Sequence, residues 1–427
     1  MVLEAPVRSN LNMVDLADPD MHMRYGQHEL FRLLRREAPV HWNDANEVYA
    51  PFWSLTKYDD VMQVSRNPQL WSSEQGISII PRVMDEAAAN LNSFGRMLIV
   101  MDPPRHVRLR RLVNKGFTPR AVAMLAPEIK RITNEILDGI AARGSADFVV
   151  DVAAQLPLAV ICSMMGVPRK DWDLMFQLTN KVLGATDEEY QTDLPEGMVR
   201  GSDDASRHTG QVGFLTMLQY FGQTLQELRG GRRGEDITSI LIDAEVDGEK
   251  LSDDEILFFC FLLIVAGNET TRNAISGGLL AFSENPGEQA RLLADPSLMD
   301  SAVEEVLRWV SPVTHMTRVA TADTQIRGQK IAAGEQVAMW YPSVNRDEDI
   351  FADPYRFDIG RTPNEHLAFG IGEHFCLGAG FARLELKVMY EELFARFPDI
   401  EVTGPVERLR SNFIGGIKHL PVGYRPN

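Results

Sequence analysis

The decapeptide Phe369-Gly370-Ile371-Gly372-Glu373-His374-Phe375-Cys376-Leu377-Gly378 constrains this chain more than any other stretch. Its glycines permit backbone conformations and close approaches that a side chain forbids. The residues from Phe381 (FARLELKVMYEELFARF) have helical periodicity. The spacing therefore places one cysteine in a loop at the mouth of a helix, where amide donors favour a charged sulfur. Thiolate, not thiol, is the form that binds a metal. The other two cysteines, Cys162 and Cys260, sit in apolar runs. Three cysteines cannot all pair, so no disulfide framework is expected, which fits a reducing cytoplasm.

The decapeptide resembles the haem loop of the cytochrome P-450 family, Phe-x-x-Gly-x-His/Arg-x-Cys-x-Gly, and matches it at Phe369, Gly372, His374, Cys376 and Gly378. The resemblance extends over nearly the whole chain. It implies a mainly α fold with a smaller β region, a triangular prism with haem b between a long distal helix and the Cys-loop helix. Cys376 is then the axial ligand of the iron, pushing electron density into it. Phe369, Gly370 and Gly378 shape the loop around the haem.

The long helix announces itself at Ser252-Asp253-Asp254-Glu255, a capping box in which Ser252 and Glu255 satisfy each other's backbone donors. It runs through the apolar Ile256 to Ala266 into Gly267-Asn268-Glu269-Thr270-Thr271-Arg272. An acid and two alcohols so close to an apolar run are costly unless paired or hydrated. The family motif Ala/Gly-Gly-x-Asp/Glu-Thr implies that Ala266 and Gly267 lie over the haem, with Gly267 letting the helix widen there. It also implies that Thr270 hydrogen-bonds at the distal side and that Glu269 relays protons from solvent.

Glu305 and Arg308, three apart, share a helix face. The family's Glu-x-x-Arg motif places them in a buried structural network, with Arg356 as the expected third member. His106 and Arg110, four apart on one helical face, are implied to hold the haem propionates together with Arg318 and His374. The nearby Arg105, Arg108, Arg111 and Lys115 form a solvated helix face, or a basic patch that steers an acidic electron donor.

A net charge of −17 argues against nucleic acid, whose phosphates need a basic footprint. The first twenty residues carry acids where a signal peptide needs a basic start and an apolar stretch. Ile256 to Ala266, the longest apolar run, is about half the roughly 20 residues that span a bilayer. No membrane span, a cytoplasmic location and a monomer are expected. No flavin-type Gly-x-Gly-x-x-Gly follows a strand, so electrons are expected from a ferredoxin and its NAD(P)H-dependent reductase.

Along the chain, no linker or repeat divides the sequence, and a single domain over residues 1–427 is expected. A β-rich part covers about 35–80, with strands at Val40 to Trp42 and Phe52 to Thr56 and a helix at Tyr58 to Arg66. A helical body covers about 104–310, with amphipathic segments at Ala121 to Ala142, Leu156 to Met165, Trp172 to Leu183 and Gly213 to Leu228. Strand-like runs at Thr317 to Val319 and Gln336 to Met339 precede the loop 369–378. Phe413 to Val422 reads as a closing hairpin. The polar stretch Thr186 to Ser206 is long enough for a mobile lid.

The resemblance gathers the substrate pocket from Phe94, Met97, Leu98, Leu262, Val313 and Phe413, all apolar, so the ligand is expected to be hydrophobic. The stretches Val265 to Asn273, Phe117 to Arg120 and Gly415 to Val422 look like the group that oxidises methyl-branched lipids, isoprenoids and sterol side chains. The expected reaction is hydroxylation of a branched fatty acid, terpenoid or sterol side chain with O2. Hydroxylation of a steroid nucleus or macrocyclic secondary metabolite is one alternative, and a non-enzymatic haem-thiolate sensor another.

Overall fold

The computed structural model describes residues 15–426 apart from 47, 80–96, 232–233, 235 and 247. The helices that build the site are α1 (Gln27–Glu37), α2 (Arg105–Val113), α3 (Pro119–Ile140), α4 (Gln155–Met165), α5 (Trp172–Leu183), α6 (Asp203–Gly230), α7 (Asp253–Glu284), α8 (Met299–Val310) and α9 (Ala379–Arg396). Local chemistry sets several of their starts. Thr118 accepts from the Ala121 amide ahead of Pro119 in α3, and the Ser252–Glu255 capping box is present in both directions at the head of α7.

After its first turn α7 is apolar on nearly every face, and such a helix must be wrapped by others. It packs against α4, α5, α6, α8 and α9. Its buried residues run from Ile256 to Phe282 and include Asn268, Glu269, Arg272 and Asn273. These polar residues therefore need partners inside the protein.

The larger sheet joins distant parts of the chain. Strands β1 (Val40–Asn43), β2 (Phe52–Leu55), β3 (Trp71–Ser72), β4 (His315–Ala320) and β5 (Gln336–Trp340) lie in the order β1-β2-β5-β4-β3, with β2 and β5 parallel and the other pairs antiparallel. Every residue of central β5 is buried. The Trp340 indole N–H is satisfied there by the Ser54 hydroxyl at 2.9 Å.

Two expectations are corrected. Phe413 to Val422 is no hairpin: Ile414 bridges to Val313, Ile417–His419 pairs with Glu407–Arg408, and Pro421–Gly423 pairs with Glu401–Val402 and Ser145–Asp147. The single residue between the last two runs cannot form a hairpin turn, so each finds a distant partner. α6 begins at Asp203 rather than Gly213, because Ser202 caps it and Asp203 and Asp204 favour its first turn. The polar stretch ahead of it is tied down at its start. Thr186 donates to the Arg410 carbonyl at 2.5 Å, and Asp187 takes the Arg410 amide at 2.9 Å and Lys418 at 3.0 Å.

Candidate active site

The cysteine loop is folded by its own backbone. The Cys376 amide donates to the Phe369 carbonyl at 2.9 Å and the Phe375 amide to that of Gly372 at 3.1 Å. Gly372 has φ +79°, and a Cβ there would meet the Ser65 carbonyl at 2.4 Å, so both conformation and contact demand glycine. Burial pushes the Cys376 thiol up, opposed by the amides of Gly378 and Ala379 and by Arg110 and Arg383. Cys162 and Cys260 have no such surroundings, and burial drives each to about 12, so they are inert packing thiols.

Cys376 opens into a cavity whose walls include Phe369, Gly370 and Gly378 from the loop, and Leu262, Ala266, Gly267 and Thr270 from α7. A Cβ on Gly378 would meet no protein atom within 4 Å. His106, Arg110, Arg318 and His374 converge on the same space. Arg318 is 7% exposed and donates to the Thr317 carbonyl at 2.6 Å, with no carboxylate in ion-pair reach among the described residues. Burial pulls its guanidinium down. Both ring nitrogens of buried His106 lack a hydrogen-bond partner, and its ring lies 4.3 Å from that of His374. Desolvation, then Arg110 and Arg318, lowers His106 to about 4. Arg110 donates to the Phe375 carbonyl at 2.7 Å, His374 meets the Ser73 hydroxyl at 3.2 Å and Glu373 stands 4.0 Å from His106, so it is the unbonded nitrogens of His106 and the desolvated Arg318 that suit a ligand carrying carboxylates.

The distal wall departs from the expected geometry. α7 is unbroken at Gly267, whose hypothetical Cβ would press on Ile161 at 3.3 Å, and the Thr270 hydroxyl donates to the Ala266 carbonyl at 2.7 Å. Glu269 is 1% exposed and does not line the cavity. Its Oε1 is held by Arg272 and by Asn273 at 3.2 Å, while Oε2 has no partner. Arg272 in turn reaches Asn180 of α5 at 2.8 Å.

Behind the loop, Glu305 and Arg308 form a two-pronged pair at 2.7 and 2.8 Å, both side chains fully buried. The third arginine side chain belongs to Arg361, whose Nε reaches Glu305 at 3.1 Å, not to Arg356. Arg356 is exposed and contributes only its carbonyl, accepting from Arg308 at 3.2 Å and Arg361 at 2.9 Å. Two arginines five apart in an irregular stretch cannot be told apart by spacing, since the path of the loop decides which one turns inward. Arg308 also donates to the Asn345 carbonyl at 2.8 Å, and the Asn345 side chain accepts the Leu367 amide at 2.7 Å. The buried pair thus holds the chain two residues before Phe369.

Of the expected pocket residues, Leu98, Leu262 and Val313 line the cavity. Met97 is buried in the neighbouring core, and Phe413 packs edge-on against His315, 5.5 Å between ring centres; neither is in the cavity wall. Phe94 lies outside the described residues.

Two acids on these elements escaped the sequence reading. Glu304 binds Arg383 at 2.6 Å and His366 at 3.1 Å, and despite burial these partners hold it at about 2. Arg383 lies over the Phe369 ring, 4.6 Å from its centre. Glu385 lines the cavity, is 4% exposed and has an unpartnered Oε2, and burial pushes its carboxyl to about 8. The fourfold spacing Phe381, Glu385, Met389 on one helical stripe was the signal for it.

Glu385 also yields a pH prediction. Unfolded it ionises near 4.5 and folded near 8. The folded state therefore holds the extra proton between those values, and stability falls as pH rises through that window. Glu385→Gln in the cofactor-loaded protein should melt above the native protein at about pH 8, with the gap closing towards about pH 5. A gap that does not change with pH contradicts this.

The family model for Cytochrome P450 matches residues 19–407 of this chain. This chain belongs to the cytochrome P450 family. The methyl-branched lipid omega-hydroxylase of Mycobacterium tuberculosis is 43% identical over 402 residues, 92% of this P450 and 90% of that protein. The steroid C26-monooxygenase of the same species is 36% identical, over 96% of this chain and 92% of that one. Among solved structures, a Mycobacterium marinum cytochrome P450 in complex with pseudoionone superposes with a TM-score of 0.87 at 34% identity, covering 98% of this chain and all of that one. The P450 is accordingly a haem monooxygenase that hydroxylates hydrophobic substrates with electrons from redox partners, and not a non-catalytic sensor. Among the described residues no helix is long and apolar enough to cross a membrane.

Proposed function

We propose that this P450 binds haem b and hydroxylates the terminal carbon of a methyl-branched lipid, terpenoid or sterol side chain. Electrons would come from a ferredoxin served by an NAD(P)H-dependent reductase, and the protein would act as a cytoplasmic monomer of one domain. The observation that carries the substrate class is the 43% identity with a methyl-branched lipid omega-hydroxylase across nearly the full chain, joined to an apolar distal wall.

Haem, once bound through Cys376, supplies activation of O2 and insertion of one oxygen atom into a C–H bond. The protein's part is to hold, orient and deliver protons. His106, Arg110, Arg318 and His374 supply donors for the two propionates, which would relieve the desolvated Arg318 and the orphan nitrogens of His106. Leu98, Leu262 and Val313 offer no hydrogen bond to a substrate, so they exclude water and align a chain by shape. Glu269 can carry a proton on its free Oε2 while Arg272 and Asn273 hold Oε1. To pass it on, the side chain must rotate towards the cavity, where the Thr270 hydroxyl stands ready in the wall.

Turnover of a methyl-branched fatty acid under labelled O2, with ferredoxin and reductase, tests the reading. One labelled oxygen atom on the terminal carbon is expected, and hydroxylation confined to interior carbons contradicts it. Under the same conditions Thr270→Ala should lower product per electron on the order of tenfold, electrons escaping as hydrogen peroxide. Unchanged coupling removes Thr270 from proton delivery.

A further inference from the structure

A second cavity lies further along α7, against Asn273, Gly277 and Ala281, and no residue lines both. Its lining is about half polar, where that of the first is mostly apolar. Its other walls come from the chain before and at the start of α1, the end of α8, and the segment 408–417.

Four buried atoms in its lining residues lack a hydrogen-bond partner: Nδ1 of His22, Oε1 of Gln27 and both ring nitrogens of His28. His22 and Gln27 are 5% and 6% exposed. The guanidinium groups of Arg346, Arg408 and Arg35 all act on His28, and Arg35 is already paired with Glu348. Arg408, in the wall, lies 3.9 Å above the Tyr25 ring centre, and that ring meets His28 edge-on at 4.7 Å. Arg346, fully buried, stacks on Trp309 and donates to its carbonyl at 2.8 Å, leaving Nη1 without a partner. Among the described residues neither arginine forms an ion pair with a carboxylate. The carboxylate in the lining, Glu284, is exposed, and its charge acts on Arg408 without closing to an ion pair.

A partly buried guanidinium with no carboxylate in bonding contact is costly, and an anion placed beside it gains charge-assisted bonds. His28 can turn one N–H inward by choice of tautomer, and Gln27 can present its amide N–H2 by a flip. Size limits the guest. The cavity holds about 50 Å³, and a single water needs roughly 10–15 Å³, so the guest has about four non-hydrogen atoms. Ala281, Leu280 and Leu409 give it one apolar side, which suits a methyl group better than a mineral ion charged on every face.

We infer that this cavity binds a small carboxylate the size of acetate, its oxygens taken by Arg408 and His28 and its methyl end by Ala281 and Leu409. The site stands apart from the haem cavity, so its occupancy can be read without catalysis.

The test is thermal melting and titration calorimetry of the haem-loaded protein with sodium acetate against sodium chloride at equal ionic strength. Acetate should raise the melting temperature along a saturating curve, and Arg408→Gln should bind it at least tenfold more weakly. His28→Leu serves as a second variant should Arg408→Gln fold poorly, with the same weakening expected. Acetate without saturable effect overturns the inference, as does equal binding by a folded variant. A crystal structure at saturating acetate showing only water beside His28 and Gln27 overturns it too.

Discussion

Cys376→Ser is expected to give a folded protein whose monooxygenation is lost altogether. The surroundings of Cys376 act on a thiolate: the Gly378 and Ala379 amides and the Arg110 and Arg383 guanidiniums all oppose the upward push of burial on the thiol. A serine hydroxyl in the same place remains protonated and is a poor donor to iron, so the electron push that favours O–O cleavage disappears. The backbone bonds that shape the loop, Cys376 amide to Phe369 carbonyl and Phe375 amide to Gly372 carbonyl, do not involve the sulfur and should survive. Melting temperature and haem absorbance measured beside product formation check this. Loss of the native Soret spectrum with product below detection is the expected pair, and a serine variant that still hydroxylates contradicts the ligand assignment.

Glu305→Ala should cost nearly as much by a different route. Removing the acid leaves Arg308 fully buried without its partner, a loss of about 3–5 kcal/mol. Arg361, Asn364 and the Asp358 amide lose the same carboxylate. The loop from 352 to 364 would lose its anchor, and with it the approach to Phe369. Expression should yield protein with little or no haem. Arg356→Ala, in contrast, should load haem normally, because that side chain is exposed and the network uses only the backbone carbonyl. Haem content by absorbance relative to total protein separates the two variants; a fully loaded Glu305→Ala protein refutes the structural role.

What was legible in the sequence was what local chemistry fixes. The capping box at Ser252 and the cysteine loop each depend on residues within a few positions of one another, and the strands at Val40 and Phe52 pair with each other across one short connection. Cys376, His106, Arg110, Arg318, His374, Thr270, Leu98, Leu262 and Val313, which the family pattern singles out, line one cavity. What failed depended on distant partners. Arg361 displaces Arg356 because an irregular loop, not a helix period, orients both. Phe413 leaves the pocket because Ile414 pairs with Val313 in place of a local hairpin arm. Glu304 and Glu385 were not singled out, because the partners of the first, Arg383 and His366, and the burial of the second are set by how α8 and α9 pack. Glu269 was expected at the cavity and lies beside it, held by Arg272, since a buried acid takes the nearest cation.

The proposal of a haem-thiolate site that takes methyl-branched chains is tested most directly by titrating the purified ferric protein and following the Soret band. Methyl-branched fatty acids, linear terpenoids, steroids and macrocycles would be added in turn. A saturable Soret shift with branched and isoprenoid chains and with sterols that carry a side chain, nucleus-only steroids and macrocycles remaining silent, is the result this proposal predicts. A response to steroid nuclei or macrocycles alone would contradict it.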